Sequence, residues 1–366
     1  MQHSPSNIVK SSSYGLLGIT PFPVHIEVAP GPFSVQTDLP RSAGSDALAK
    51  EIKLRVSSAL QQLGVSVREV GGAVTIRTGG LSLSSGGWDL AVAVAVAAHL
   101  GAIPRESLAD KVFMAELSVA GLLHPVRGVF PCARQARLAG KKFVGSIRNS
   151  GEMVPTMDRA ANTLSDVLAW LRGEPMFLEP LPAAPRANVP SPTIAAEKIA
   201  ALPKSIVVLA EFGDGMHGVA RAIAESLPDL SLADSVLATS IYSAAGLLQS
   251  TGGMLTRPPL RAPHHTVSEA GLLGGGLQMR PGEVSLATCG VLVLDQIDEF
   301  RRSTLEALLH ATKAGFVEAL RQGGDLSVRL PAAPRLTLGI AYSKRALDKR
   351  HGALMSSAEF KAMLGA

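Results

Sequence analysis

The sequence predicts an α+β domain followed by an α/β domain that is built on a parallel sheet. The segment at residues 178–192 holds five prolines; because prolines favour extended backbone and oppose helix, we place a linker there. After it, short apolar strands alternate with helical patterns through residues 193–343, which is typical of a parallel sheet. Before it, in residues 14–177, apolar runs bracket one long helical pattern.

Composition limits the classes of function. The chain has 366 residues, of which 46% are hydrophobic and 18% charged, so two buried cores are expected and global disorder is not. Aromatic residues make up only 4%, which argues against a stacking platform for single-stranded nucleic acid. The net charge of +5 is compatible with an acidic partner, but the lysines and arginines are scattered along the chain.

The first domain is predicted from the spacing of its apolar residues. Residues 1–13 are polar and rich in serine, and we expect them to be flexible and to lack a signal peptide. The longest apolar stretch, residues 90–100, is too short to cross a bilayer, so we expect a cytoplasmic protein with no membrane contact. The predicted elements are strands at 25–28, 33–37, 74–76, 112–117 and 142–144, and helices at 46–63, 131–139 and 163–171.

The second domain shows alternating elements up to residue 343. The predicted elements are strands at 206–209, 291–294 and 336–341 and helices at 219–227 and 303–312. We expect residues 344–366 to be a short tail.

The loop after the first of these strands keeps the strand–loop–helix arrangement of a phosphate-binding loop. It lacks the residues that bind phosphate and Mg²⁺ there. A working loop reads Gly-x-x-x-x-Gly-Lys-Ser/Thr, in which the lysine meets the phosphates and the hydroxyl meets Mg²⁺. Here Ala210 stands at the first glycine, Met216 at the lysine and His217 at the hydroxyl. Gly213 and Gly215 are the remnants of the loop.

A second motif of nucleotide hydrolysis is also altered. The apolar strand at 291–294 ends in Asp295, as in a Walker B strand whose aspartate supports Mg²⁺. A catalytic glutamate is expected next, but Gln296 stands there, and an amide cannot accept a proton as a general base does.

Long segments of the chain resemble the ComM/YifB-type, magnesium-chelatase-like AAA+ family. In the second domain they are residues 261–268, 274–276, 280–287 and 290–308, and in the first domain residues 14–19, 24–28, 31–39, 85–93 and 113–129. The resemblance implies a Lon-protease-like first domain, of the ribosomal-protein-like fold, and a P-loop AAA+ second domain. Family members are ring-forming ATPases, and the best understood of them act on DNA branches during recombination.

The functional residues of the family are not carried over. Met216 falls at its P-loop lysine, His217 at its threonine, Gln296 at its catalytic glutamate and Ser343 at its sensor asparagine. The family's arginine finger and helical lid are not recognisable in residues 344–366. The resemblance therefore implies a degenerate, truncated member without a lid, and we expect neither ATP hydrolysis nor binding of ATP or Mg²⁺.

Other candidate sites give weaker signals. By the same resemblance, a Ser/Lys peptidase dyad of the first domain falls at Gly86 and near Phe130, so no peptidase activity is expected. We expect the adjacent histidines 264 and 265 to point to opposite sides of an extended segment rather than to hold a metal. Cys132 and Cys289 are expected to be buried thiols, because nothing in their spacing suggests zinc or a disulfide framework.

Three hypotheses of function follow. The one we favour is a pseudo-ATPase scaffold that binds another protein and sequesters, inhibits or otherwise regulates it. The alternative is a nucleic-acid-binding accessory module related to ATPases of DNA branch migration. An unorthodox ATPase would need a lysine from elsewhere, and Lys204, before the strand, is poorly placed. A monomer, a small oligomer or a hetero-complex is expected more than a hexamer.

Overall fold

A computed structural model of the chain describes residues 7–39, 45–67, 70–81, 86–154, 156–175, 204–211, 216–248, 253–276, 278–320 and 327–355. The chain divides into two units, which we describe separately. The first comprises Met1–Ala184 with Gly246–Gly253, and the second comprises Pro185–Ala245 with Met254–Ala366. The predicted linker at 178–192 lies outside the described residues.

The first unit is built on a four-stranded sheet of order β1-β2-β4-β3. Its strands are β1 (Val9–Leu17), β2 (Thr20–Ala29), β3 (Ser34–Thr37) and β4 (Ala73–Arg77). All pairs are antiparallel except β3 with β4. Helix α1 (Ser45–Gln62) confirms the predicted helix within one residue at each end, and its buried side chains include Ile52, Val56 and Leu60.

Helix α2 (Asp89–His99) forms the centre of the first core. Its residues from Asp89 to Ala98 are at most 1% exposed. From Leu90 to Ala98 all of them are apolar, as expected for a helix that is buried on every side. Just before it, the buried Trp88 donates a hydrogen bond to the carbonyl of Tyr14 over 3.1 Å. A buried indole therefore has its polar partner.

A second sheet of the first unit has the order β5-β8-β9 and is parallel. The remaining elements are β5 (Lys111–Met114), β6 (Glu116–Leu117), β7 (Leu123–His124), β8 (Lys142–Ser146), β9 (Arg159–Ala161), α3 (Val129–Leu138) and α4 (Leu164–Leu171). The single strand predicted at 112–117 is two strands. The break occurs because the backbone N–H of Ala115 bonds to Gly87 and its carbonyl accepts from Leu90.

The expectation of a flexible N-terminus is wrong for residues 9–13, which form the first half of β1. Ser11 and Ser13 are buried, and their hydroxyls donate to the carbonyls of Ala91 and Phe113 over 2.8 and 2.7 Å. A polar strand can be buried when its hydroxyls find such partners.

The second unit is built on a parallel sheet of order β10-β17-β14-β11. Its strands are β10 (Ser205–Leu209), β11 (Leu260–Arg261), β14 (Val291–Asp295) and β17 (Leu336–Ala341). The main helices are α5 (Met216–Ser226), α6 (Leu232–Ala245) and α9 (Arg302–Ala314), with the short helices α7 (Glu269–Leu273) and α8 (Glu283–Leu286). The predicted α/β organisation is confirmed.

Two hairpins and a last helix complete the second unit. The hairpins pair β12 (Gly274–Gly275) with β13 (Arg280–Pro281) and β15 (Phe316–Leu320) with β16 (Ser327–Pro331). The predicted short tail is instead helix α10 (Lys344–Met355) over its first twelve residues. This helix forms because it has a buried apolar anchor in Leu347, which is 4% exposed.

Two general expectations can be compared with the described residues. Among them, no helix combines the length and the apolar character that crossing a membrane requires. Cys132 and Cys289 are buried and unbridged, as predicted. Burial raises the pKa of the Cys289 thiol to about 11 and raises that of Cys132 still further.

Candidate functional site

The altered motifs meet at the carboxyl ends of three parallel strands. In the sheet, Leu209 of β10 pairs with Ala341 of β17, and Asp295 of β14 pairs with Ile340 of β17. Ligands of open α/β sheets bind in the crevice outside these strand ends. The strands that precede or carry the altered motifs therefore end at the same edge of the sheet.

His217 and Asp295 contact each other across this crevice. The imidazole Nε2 lies 3.1 Å from a carboxylate oxygen, Oδ2, of Asp295. The His217 side chain is 65% exposed and that of Asp295 is 23% exposed, so the pair faces solvent. In a working loop these two positions carry the hydroxyl and the carboxylate that support one Mg²⁺ ion.

Met216, at the position of the P-loop lysine, is part of an apolar cluster. It is half-buried and packs with Ile206 and Val208 of β10 against a core that includes Ile223 of α5. A thioether on this cluster supplies no positive charge for a phosphate. Gly213 and Gly215, the remnants of the loop, lie outside the described residues.

Gln296 stands in the left-handed region of backbone conformation, at φ 55° and ψ 50°. Its backbone N–H donates to Oδ1 of Asp295 over 3.1 Å. Both carboxylate oxygens of Asp295 therefore have partners from this chain, one from a backbone amide and one from an imidazole. Neither partner contributes an oxygen that could ligate Mg²⁺, the kind of ligand this ion prefers.

The turn that follows Gln296 is covered by α10. Arg350 donates to the carbonyl of Asp298 over 3.2 Å and to the carboxylate of Glu299 over 2.6 Å. Next to it, His351 is 2% exposed, and burial lowers the pKa of its imidazole. The end of the Walker B strand is therefore fixed from the side by a helix that the sequence had not predicted.

Ser343, at the sensor position, begins this helix. Its hydroxyl accepts a hydrogen bond from the backbone N–H of Ala346 over 3.1 Å. That is the geometry of an N-cap, which satisfies one of the free N–H groups at a helix start. In this structure the Ser343 side chain has a structural partner rather than a place in the His217–Asp295 pair.

The orientation of the adjacent histidines 264 and 265 differs from the prediction. The rings of His264 and His265 lie 4.0 Å apart between centroids with 35° between their planes, so the prediction that they point to opposite sides is wrong. Their segment bends here, and His264 Nδ1 lies 2.9 Å from the hydroxyl of Thr266. Within the described residues, no group of three or more histidine, cysteine or carboxylate side chains has the geometry to hold a metal.

The contact between His217 and Asp295 was not predicted from the sequence, although a signal for it was present. The two positions are those that share one cation in a working site. Any donor that replaces the hydroxyl therefore comes within reach of the carboxylate.

Two descriptions of protein families match parts of this chain. The family described as "Magnesium chelatase, subunit ChlI" matches residues 191–352, and that described as "Subunit ChlI of Mg-chelatase" matches residues 40–149.

Three curated relatives illustrate the similarity. An uncharacterized protein of Mycobacterium bovis is 33% identical over 76% of this chain and 59% of its own length. Competence protein ComM of Haemophilus influenzae is 28% identical over 77% of this chain and 59% of its own length. Uncharacterized protein YifB of Escherichia coli is 28% identical over 82% of this chain and 61% of its own length. The chain thus spans about three fifths of the length of these relatives.

Proposed function

Since this chain belongs to the ComM/YifB-type magnesium-chelatase-like family, we propose that it is a catalytically inactive AAA+ member, a pseudo-ATPase that binds a partner protein and sequesters or inhibits it. Its first unit is the family's Lon-like domain, used here as a scaffold. We place the protein in the cytoplasm, and we propose that it binds neither ATP nor Mg²⁺.

One observation carries the proposal of inactivity. The imidazole of His217 lies 3.1 Å from Asp295 Oδ2, in the place where a working site holds the ion that neutralises charge during phosphoryl transfer. The side chains at the lysine and glutamate positions, Met216 and Gln296, supply neither a cation nor a general base. Positioning and electrostatic stabilisation are nearly all that such catalysis consists of, so these replacements together remove it.

Inactivity is tested by measuring ATP hydrolysis and the binding of a fluorescent ATP analogue with Mg²⁺. We expect no hydrolysis and no saturable binding in the natural chain, and no change in Asp295→Ala. The exposed Asp229→Ala serves as a matched control. Hydrolysis that is lost in Asp295→Ala and kept in Asp229→Ala would show an unorthodox ATPase and refute the proposal.

Binding of a partner protein is supported by the folded cores that the chain keeps. Both units have well-packed apolar cores, although the replacements at the strand ends leave no chemistry for a motor. A fold that is kept without its chemistry still offers a surface, and recognition of a protein is the simplest use of it.

Partner binding is tested by affinity purification of the tagged chain from its own cells, in the presence of nuclease and without ATP. We expect one protein in stoichiometric amount, whose activity falls when the purified chain is added back. Recovery that disappears with nuclease would contradict this and favour the alternative.

The alternative is a nucleic-acid-binding accessory module. The net charge of +5 and the similarity to competence protein ComM favour it. Binding of duplex or branched DNA with an affinity that falls steeply with salt would establish it, because neutralised phosphates release counterions.

A further inference from the structure

Helix α10 carries a buried histidine on the face that packs against the rest of the second unit. His351 is 2% exposed, and neither of its ring nitrogens has a hydrogen-bond partner among the described residues. Buried polar side chains normally have at least one such partner. The imidazole therefore occupies a place that suits an uncharged ring and offers little to a charged one.

The short 3₁₀ turn Ile297–Glu299 is one of the two elements that pack against α10. From this turn, the side chain of Asp298 faces the imidazole of His351. Asp298 is itself 5% exposed, and its Oδ1 is likewise without a hydrogen-bond partner. The one acidic group that faces the imidazole is thus present but forms no hydrogen bond with it.

The other charged groups around His351 are guanidinium groups. Arg302 lies on α9, the second element that packs against α10, and donates to Glu306 over 2.8 Å. Arg350 precedes His351 in α10 and donates to Glu299 over 2.6 Å. Both cations disfavour a positive charge on the ring between them.

A protonated imidazole is poorly accommodated in this place. Both of its nitrogens are then donors and need acceptors, and a charge taken out of water is costly unless it is paired. Burial and the repulsion from Arg350 and Arg302 outweigh the attraction of Asp298, so the pKa of His351 lies below its ordinary value of 6.5.

We propose that α10 is a pH-sensitive cover over the turn Ile297–Glu299, closed while His351 is neutral and released locally when the imidazole takes up a proton. Release lets the imidazole reach water and breaks the bonds of Arg350 to the carbonyl of Asp298 and the carboxylate of Glu299. Because the turn directly follows β14, release uncovers the end of that strand. The inference depends neither on the proposed inactivity nor on the proposed partner protein.

The direction of the pH dependence follows from the lowered pKa. The neutral imidazole stabilises the closed helix fully above about pH 6.5, and this contribution is lost as the pH falls below that value. At pH 5.5, about one unit below the ordinary pKa, the closed form is expected to lose up to about tenfold in its equilibrium constant relative to pH 7.5.

The first test is hydrogen exchange of the full chain at pH 7.5 and 5.5, measured by mass spectrometry and corrected for the intrinsic rate at each pH. We expect the protection of α10 to fall by up to about tenfold at pH 5.5 and that of α9 to stay unchanged. His351→Phe keeps a buried ring that cannot take up a proton and is expected to remove the difference. His310→Gln is the matched control, because His310 is exposed on α9, and it is expected to keep the difference.

The second test is the titration of the imidazole itself, followed by NMR of histidine-labelled protein. The signal of His351 is assigned by its loss in His351→Phe or, should that variant not fold, in His351→Gln. We expect a midpoint below 6.5. Asp298→Asn removes the one group that favours the charged ring and is expected to lower the midpoint further.

Other behaviour of the helix would overturn the proposal. A midpoint at or above 6.5, or a protection of α10 that stays constant or rises at pH 5.5, would show that Asp298 accepts a bond from the charged ring and keeps the cover closed. A fall in protection that persists in His351→Phe, that His310→Gln abolishes, or that α9 shares equally would show that another group or a larger opening is responsible.

Discussion

Asp89 is a buried carboxylate whose charge is balanced by few partners. It is fully buried at the start of α2, and Arg55 donates to both of its oxygens over 2.7 and 3.3 Å. The backbone N–H of Leu117 adds a third bond over 2.9 Å. Burial nevertheless dominates and raises the pKa of Asp89 from 3.8 to about 6, because a low-dielectric interior disfavours the charged form.

This shift predicts how stability depends on pH. The folded state binds a proton at pH values where the unfolded state has lost it, so this contribution to stability is complete below pH 3.8 and is lost as the pH rises through about 6. The free energy of unfolding of the natural chain, relative to Asp89→Asn, is expected to fall by up to about 3 kcal/mol between these limits. Urea denaturation at several pH values measures it.

Asp46→Asn is the control for this series, because it removes an exposed carboxylate at the start of α1 and leaves the Arg55–Asp89 pair in place. If the difference between the natural chain and Asp89→Asn does not change with pH, the assignment of the shift to Asp89 is wrong.

At the same scale, the sequence predicts missing ligands at this site but not the contact that the structure has there. The residue types at Met216, His217 and Gln296 are enough for that prediction, because lysine, hydroxyl and carboxylate each have one chemical role in a working site. The two motifs place positions 217 and 295 near one cation site, which is a signal that they lie close together. The contact itself, from the His217 imidazole to Asp295 Oδ2, depends on how core packing brings α5 and β14 together.

Among the elements, α10 depends on its cap. Ser343→Ala removes the acceptor for the N–H of Ala346 and is expected to lower the free energy of unfolding by about 1 kcal/mol. Ser343→Asn is the matched control, because asparagine caps as well as serine does and is also the residue expected at the sensor position. Urea denaturation followed by circular dichroism compares the three chains. An equal loss in both variants would mean that Ser343 stabilises the helix in some way other than capping.

The elements that the sequence predicted are those with a clear period or a continuous apolar run. Helices α1 and α9 and strands β10, β14 and β17 belong to this group. Helix α6 was missed, because its buried face is formed largely of small and hydroxyl residues such as Ser235, Thr239 and Ser243, which give no apolar stripe. The hairpin of β15 and β16 was missed because short strands gain stability only from a partner. The first half of β1 was missed because its buried serines depend on distant carbonyls.

The complete burial of α2 has a consequence for how the protein opens. A helix that is apolar all round has no face on which water can reach its amides while the core is intact. We expect the amides of residues 92–98 to exchange with deuterium more slowly than those of α9, which keeps an exposed face, and only through the largest opening of the first unit. Slow exchange there, measured by mass spectrometry, would identify α2 as the last part of the first unit to unfold. Early labelling of α2 would instead show that it opens without unfolding of the whole unit.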